Sequence, residues 1–129
     1  MVNSMIQLTG TAREQYVRAN FDVPQLINYA AVLAINNHID SSSKNYFAFR
    51  SDATGRWSLI PWDYDHTWGN GCNCSVYSSF VTPAEPGDKV NEMMEALLEV
   101  PAFKTMYFRR LRTLTDALFV PGLRFSAPT

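Results

Sequence analysis

Charge is scarce in this chain. Asp, Glu, Lys and Arg make up 18% of its 129 residues, against about 25% in an average soluble domain. The two signs nearly cancel, leaving a net charge of −1. That excludes the broad electrostatic attraction that nucleic acid or an anionic membrane surface would exploit. An anionic ligand would have to be held locally, by metal ions or a few basic side chains. No apolar run reaches the roughly 18 residues of a membrane span. Met1 to Gly10 has neither a basic stretch nor a long apolar one, so it is not expected to act as a signal peptide. Cysteine is confined to Cys72 and Cys74, which lie too close together for an unstrained disulfide. Free thiols are expected there. A zinc site using His66, Cys72 and Cys74 would lack an evident fourth ligand. Internal repeats and low-complexity tracts are also absent.

Hydrophobic residues are plentiful, at 47%, enough for a core in a chain of typical single-domain size, about 100–150 residues. Residues 1–22 are weakly patterned, with one short helix expected at Thr11–Ala19. Asp22-Val23-Pro24 has the chemistry of a helix start, with a polar cap and proline in the first turn. Gln25–Asn37 carries Leu26, Ile27, Ala30, Leu33 and Ala34 with almost no charge, and predicts a buried helix. His38–Lys44 is polar and serine-rich, hence a loop. Asn45–Arg50 and Arg56–Pro61 read as strands joined by the turn Ser51–Gly55, where Gly55 can take a left-handed conformation.

A long irregular segment runs from Asp63 to Pro86. A loop of this length inside a compact domain usually serves a function. Beyond it, Val90, Met93, Met94, Leu97 and Leu98 follow helical spacing, either as core or as a docking face. Pro101 opens another helix, with Phe103, Tyr107, Leu111, Leu114 and Leu118 along one side. The order is helix, loop, hairpin, long loop and two C-terminal helices, an α+β layout. It divides into an N-terminal remnant at 1–22, a core at 23–120 and a frayed tail at 121–129.

One segment has the spacing of phosphoryl-transfer chemistry. His38-Ile39-Asp40-Ser41-Ser42-Ser43-Lys44-Asn45 fits H-x-D-x-x-x-x-N, the arrangement of a protein-kinase catalytic loop. An Asp there orients or deprotonates the attacking hydroxyl, and the Asn holds a metal. His38 is expected to be structural, hydrogen-bonded to backbone. Two strands of similar length cancel each other's displacement, so Asp63 is expected to return beside Asp40 and Asn45. If Asp63-Tyr64-Asp65 is extended, both carboxylates point to one side. Together with Asn45 they form a hard oxygen set suited to Mg²⁺ or Mn²⁺. Asp52 reads as turn chemistry. Trp57, Trp62 and Trp68 are expected to anchor the core, with Trp62 alternatively walling the site.

The stretch Asn45-Tyr46-Phe47, followed by Gly55-Arg56-Trp57-Ser58-Leu59-Ile60-Pro61-Trp62-Asp63-Tyr64-Asp65-His66-Thr67-Trp68-Gly69, resembles the CotH family, named for spore-coat protein H. The hallmark of that family is D-x-x-x-x-N-Y-Y and then G-x-W-x-x-I-P-W-D-x-D-x-T-F-G. Asn91 through Leu98, Pro101, Phe103, Tyr107 and Arg110-Leu111 are similar to its C-terminal helices, so the resemblance runs from about Val23 to Leu118. It implies an atypical protein-kinase-like fold, this chain supplying the core of the C-terminal lobe. It also implies transfer of phosphate from ATP, with Mg or Mn, to Ser and Thr of a protein substrate. In that scheme Asp40 is the catalytic-loop acid, Asn45 and Asp63 bind metal and nucleotide phosphates, and Asp65 assists or binds a second ion. A secreted, spore or cell-surface location is implied by the resemblance alone.

The chain departs from ordinary kinases in several places. Ile39 stands where they carry Arg, and Trp68 replaces Phe before Gly69. A glycine-rich phosphate loop and a Lys–Glu pair are not found, and Lys44 and Arg56 are the nearest basic groups. The chain is therefore expected to hold only part of the catalytic apparatus. Two other readings stand beside this one. A non-catalytic spore-coat or cell-surface module would use exposed aromatics such as those of Trp68–Phe80 for adhesion. A metal-dependent hydrolase would use Asp40, Asp63, Asp65 and His66.

Overall fold

A computed structural model describes residues 2–38, 44–68 and 91–119. Helices α1 (Val2–Gln7), α2 (Gly10–Asn20) and α3 (Val23–Ile35) come first, then strands β1 (Tyr46–Arg50) and β2 (Trp57–Pro61), then helices α4 (Glu92–Leu98) and α5 (Pro101–Leu118). The strands form one antiparallel two-stranded sheet. The architecture is mixed helix and sheet, as the α+β pattern predicts.

Helix α3 is the centre of the molecule, and its start follows from its sequence. The Asp22 carboxylate accepts the Gln25 N–H at 3.2 Å, and Pro24 occupies the first turn, where no N–H is required. Leu26, Ile27, Ala30 and Leu33 are buried along one side. This face packs on α5, while α1 packs on α4. Met5, Leu26, Met94, Leu97 and Phe103 lie among the fully buried side chains, each contributing about 1.5–3 kcal/mol by leaving water. Met93, Met94, Leu97 and Leu98 are thus core rather than a docking face. On α5 the predicted stripe is buried at Phe103 and Tyr107, half-buried at Leu111 and Leu114, and exposed at Leu118, so this helix runs out past the core.

The N-terminal region contains more structure than its pattern suggests. Helix α2 matches the expected helix within a residue at each end, but α1 precedes it and contributes Met5 to the core, alongside Val17 and Phe21 from the stretch that follows. Arg13 organises this corner and is 4% exposed. Its guanidinium donates to the carbonyls of Leu8 at 2.6 Å, Ile6 at 3.0 Å and Ala96 at 3.1 Å, and to the Glu99 carboxylate. A helix leaves its last carbonyls unpaired, and one rigid fork of donors meets the ends of two helices at once.

Among the described residues, the hairpin is hydrogen-bonded to the α3 region along its β2 edge. The Asp22 N–H donates to the Trp57 carbonyl at 2.9 Å, and Phe21 bridges to Trp57 in parallel. The Gln25 carboxamide then acts as a short substitute strand, accepting the Leu59 N–H at 3.0 Å and donating to the Leu59 carbonyl. Leu59 is accordingly buried. At the hairpin tip the Gly55 N–H donates to the Ser51 carbonyl at 2.8 Å, and Gly55 takes the left-handed conformation, φ 67°.

Candidate functional site

The site grows from the C-terminal end of α3. The helix stops at Asn36, and Asn37 turns left-handed at φ 48°. That reversal sends His38 back under the helix, where it is 3% exposed and its N–H donates to the Leu33 carbonyl at 3.1 Å. The His38 Nε2 lies 3.2 Å from the Asp63 carbonyl oxygen. A carbonyl only accepts, so this contact requires the proton on Nε2. The imidazole also meets Tyr64 edge to face, with ring centroids 4.3 Å apart. His38 is a structural histidine bonded to backbone, as expected.

The hairpin delivers the other residues. Its register pairs Tyr46 with Pro61, and the Trp62 N–H donates to the Asn45 carbonyl at 3.0 Å, extending the ladder by one pair. Asp63 follows directly, one residue past the rung that holds Asn45, so the equal strand lengths return the chain to Asn45; the expected approach to Asp40 lies outside the described residues. The segment beyond is stapled back at its far end, where the Trp68 N–H donates to the Asn36 carbonyl at 2.9 Å. Residues 63–68 therefore form a short turn held at both ends by the exit of α3. Thr67 closes it with its backbone N–H on the Asp65 carbonyl at 3.1 Å.

Backbone strain is concentrated here. Asn37, Asn45, Asp63 and Trp68 all have positive φ, and no other described non-glycine residue does. Asn and Asp accept the left-handed region with little penalty. A bulky residue such as Trp68 does not, and such conformations persist only where surrounding contacts enforce them, at a cost of order 1–3 kcal/mol. Asp63 at φ 57° is not extended, so strand alternation does not place Asp63 and Asp65 on one side. This corrects the expectation from spacing. Asp63 and Asp65 are both exposed and Asn45 is half-buried. The Asp65 carboxylate lies 3.6 Å from the His66 Nε2.

Asp40 lies outside the described residues, as do Cys72, Cys74, most of the long loop and the tail beyond Phe119. Among the described residues no three His, Cys, Asp or Glu side chains converge in a way that would hold a metal. Asn45 and Asp63 offer an amide and a carboxylate, oxygen donors of the kind that share a magnesium or manganese ion with phosphate oxygens and water. Of the tryptophans, Trp57 packs against the core, whereas Trp62 and Trp68 are exposed. The core-anchor expectation fails for these two because they flank the left-handed turn on its solvent side.

Beside the site is a mostly apolar cavity of about 280 Å³ between α3 (Asn28, Tyr29, Val32, Asn36) and the hairpin exit (Pro61, Tyr64). Burial pushes the Tyr29 phenol well above its ordinary range, with the Tyr64 and Tyr46 hydroxyls adding to the shift. Burial raises Tyr64 as well. Both are therefore neutral at any physiological pH. Sequence reasoning missed Gln25 and Asn36 as the groups that fix this geometry. The one signal for Gln25 was a carboxamide in the first turn of an otherwise apolar helix.

A family model described as CotH kinase protein matches residues 1–124. The chain is also similar to the inner spore coat protein H of Bacillus subtilis (strain 168), with 27% identity over 103 residues, covering 80% of this chain and 28% of that protein. The chain thus spans less than a third of the length of that relative. No helix among the described residues is long and apolar enough to cross a membrane.

Proposed function

We propose, from the premise that this chain belongs to the CotH kinase protein family, that it forms the metal- and phosphate-holding part of a protein kinase. The reaction is transfer of phosphate from metal-bound ATP to Ser or Thr hydroxyls of a protein substrate. The observation that carries this reading is the placement of Asp63 one residue past the Trp62–Asn45 rung at the end of the hairpin, with Asn45 and Asp63 each in a left-handed conformation and Asp63 held through its carbonyl by buried His38. Preorganised positioning of charge accounts for most of phosphoryl-transfer catalysis, and a rigid backbone under two oxygen donors supplies it.

In this reading Asn45 and Asp63 hold a magnesium or manganese ion, with Asp65 as a further oxygen donor. The ion, when bound, neutralises charge on the transferring phosphate. Asp40, five residues before Asn45, orients the substrate hydroxyl and accepts its proton. His38 keeps Asp63 in place and moves no proton. Only part of a kinase is needed for this role. The relative's name, inner spore coat protein H, supports a spore-coat setting. It also supports the second reading, a coat module that keeps the fold without catalysis.

Calorimetric titration of the chain with Mg²⁺·ATP tests the proposal, using Asp63→Asn because Asn tolerates the left-handed backbone that Ala would strain. Binding should weaken at least about tenfold, the factor that follows from about 1.4 kcal/mol of lost charge-assisted contact. Asp52→Asn, in the hairpin turn, should bind as the unaltered chain does. Equal binding by Asp63→Asn would overturn the assignment. Absence of binding by the folded chain would favour the non-catalytic module.

A further inference from the structure

The two edges of the hairpin differ. Hydrogen bonds between Trp62 and Asn45 and between Ser51 and Arg56, together with the strand register, fix which backbone groups face inward. Asn45, Phe47, Phe49 and Ser51 bond to β2. Tyr46, Ala48 and Arg50 therefore turn their N–H and C=O groups outward on the far edge of β1. On β2 the corresponding outward groups are taken by Asp22 and Gln25. On β1 no group among the described residues takes them, and Tyr46, Ala48 and Arg50 show no backbone hydrogen bond outside the hairpin. An open edge with an apolar face is a template for another strand. The face here is aromatic, with Phe47 and Phe49 both more than half exposed.

The sequence along that edge is nearly symmetric about Ala48. Run antiparallel against itself with Ala48 opposite Ala48, β1 places Phe47 opposite Phe49 of the second copy, twice. Tyr46 then faces Arg50, which closes each end of the five-residue ladder with an aromatic ring beside a guanidinium. No like charges oppose one another. The small Ala48 sits at the two-fold axis, where a larger side chain would meet its own copy. Ala48 also faces outward for hydrogen bonding, so the central pair exchanges both of its backbone bonds. Aromatic pairs directly across a ladder are among the contacts that stabilise antiparallel pairing, and a self-complementary patch is what a two-fold dimer requires.

We infer that β1 is a self-pairing edge, through which two copies of this chain join into a four-stranded antiparallel sheet ordered β2-β1-β1-β2 about Ala48. This assembly is independent of the kinase reading, because neither Asn45 nor Asp63 lends a side chain to it.

Sedimentation of the full chain over a wide range of concentration tests the inference. The weight-average mass should rise toward twice that of one chain. Ala48→Pro deletes the outward N–H at the two-fold axis while leaving every hydrogen bond inside the hairpin, an arrangement edge strands tolerate, and it should hold the chain at a single-copy mass. Because proline also restricts strand geometry, a second pair of variants fixes the register. Phe47→Lys with Phe49→Lys sets like charges across the ladder and should abolish association. Phe47→Lys with Phe49→Glu sets opposite charges across it and should retain association. Association untouched by Ala48→Pro, or equal in the two double variants, would overturn the inference. A single-copy mass at every concentration would also overturn it and leave the edge to an extended segment of a different protein.

Discussion

In the helical layer the large apolar side chains are hidden, with Phe103, Met94 and Leu97 at 0% exposure. On the outer face of the hairpin Phe47, Ile60 and Trp62 stand 57%, 48% and 62% exposed. The difference lies in what fastens each to the rest. The helices are held by burial, which acts wherever apolar surface leaves water. The hairpin buries Leu59 and part of Trp57 on its inner face, and directed polar contacts fix its position, from Asp22 and Gln25 at one edge and from His38 and Asn36 at its exit. A region positioned this way can present aromatic surface and two oxygen donors to solvent without losing its place.

Substitutions can break that comparison, and their sizes are predicted to differ. Phe103→Ala should cost the most, about 3–5 kcal/mol of stability, the range for deleting a buried aromatic ring. Trp62→Ala, although it removes a larger side chain, should stay within about 0.5 kcal/mol, as exposed substitutions do. Paired chemical denaturation curves would measure both. Comparable costs would mean that the hairpin face is covered in the folded chain.

Gln25→Ala should have an intermediate effect. It strips the Leu59 N–H and carbonyl of their partners, and leaving buried backbone groups unpaired costs about 1–3 kcal/mol. The sharper consequence is local. Amide exchange at Leu59 should accelerate far more than exchange at Leu26 or Leu97, because the loss loosens the hairpin from α3 and leaves the helical core intact. Uniform acceleration through the chain would show that Gln25 supports the whole fold instead.

What the sequence made legible follows the same division. The start of α3 was readable because Asp22-Val23-Pro24 carries its capping chemistry locally, and the hairpin because strand pattern and turn residues coincide. The return of the chain to Asn45 just before Asp63 followed from counting residues along two strands. Helix α1 was not readable, since six residues carry too little periodicity and its stability comes from packing on α4. The burial of Arg13 has no local signal, because its partners Ala96 and Glu99 lie more than 80 residues away. The same-side placement of Asp63 and Asp65 was conditional on extended backbone, and Asp63 does not meet that condition. The left-handed turn at Asp63 is enforced by His38 and Asn36 from outside the segment. The Asp carries no mark of it, as Asp is common in every kind of turn.

The claim that the hairpin exit, rather than the helical layer, holds metal-bound nucleotide is tested most directly by paramagnetic broadening. Backbone amide spectra would be recorded while Mn²⁺·ATP is added to the full chain. Signals from Asn45, Trp62 and Asp63 should broaden first, while those of α1 and α4 stay sharp. Broadening centred on the helices, or spread evenly over the chain, would contradict the account.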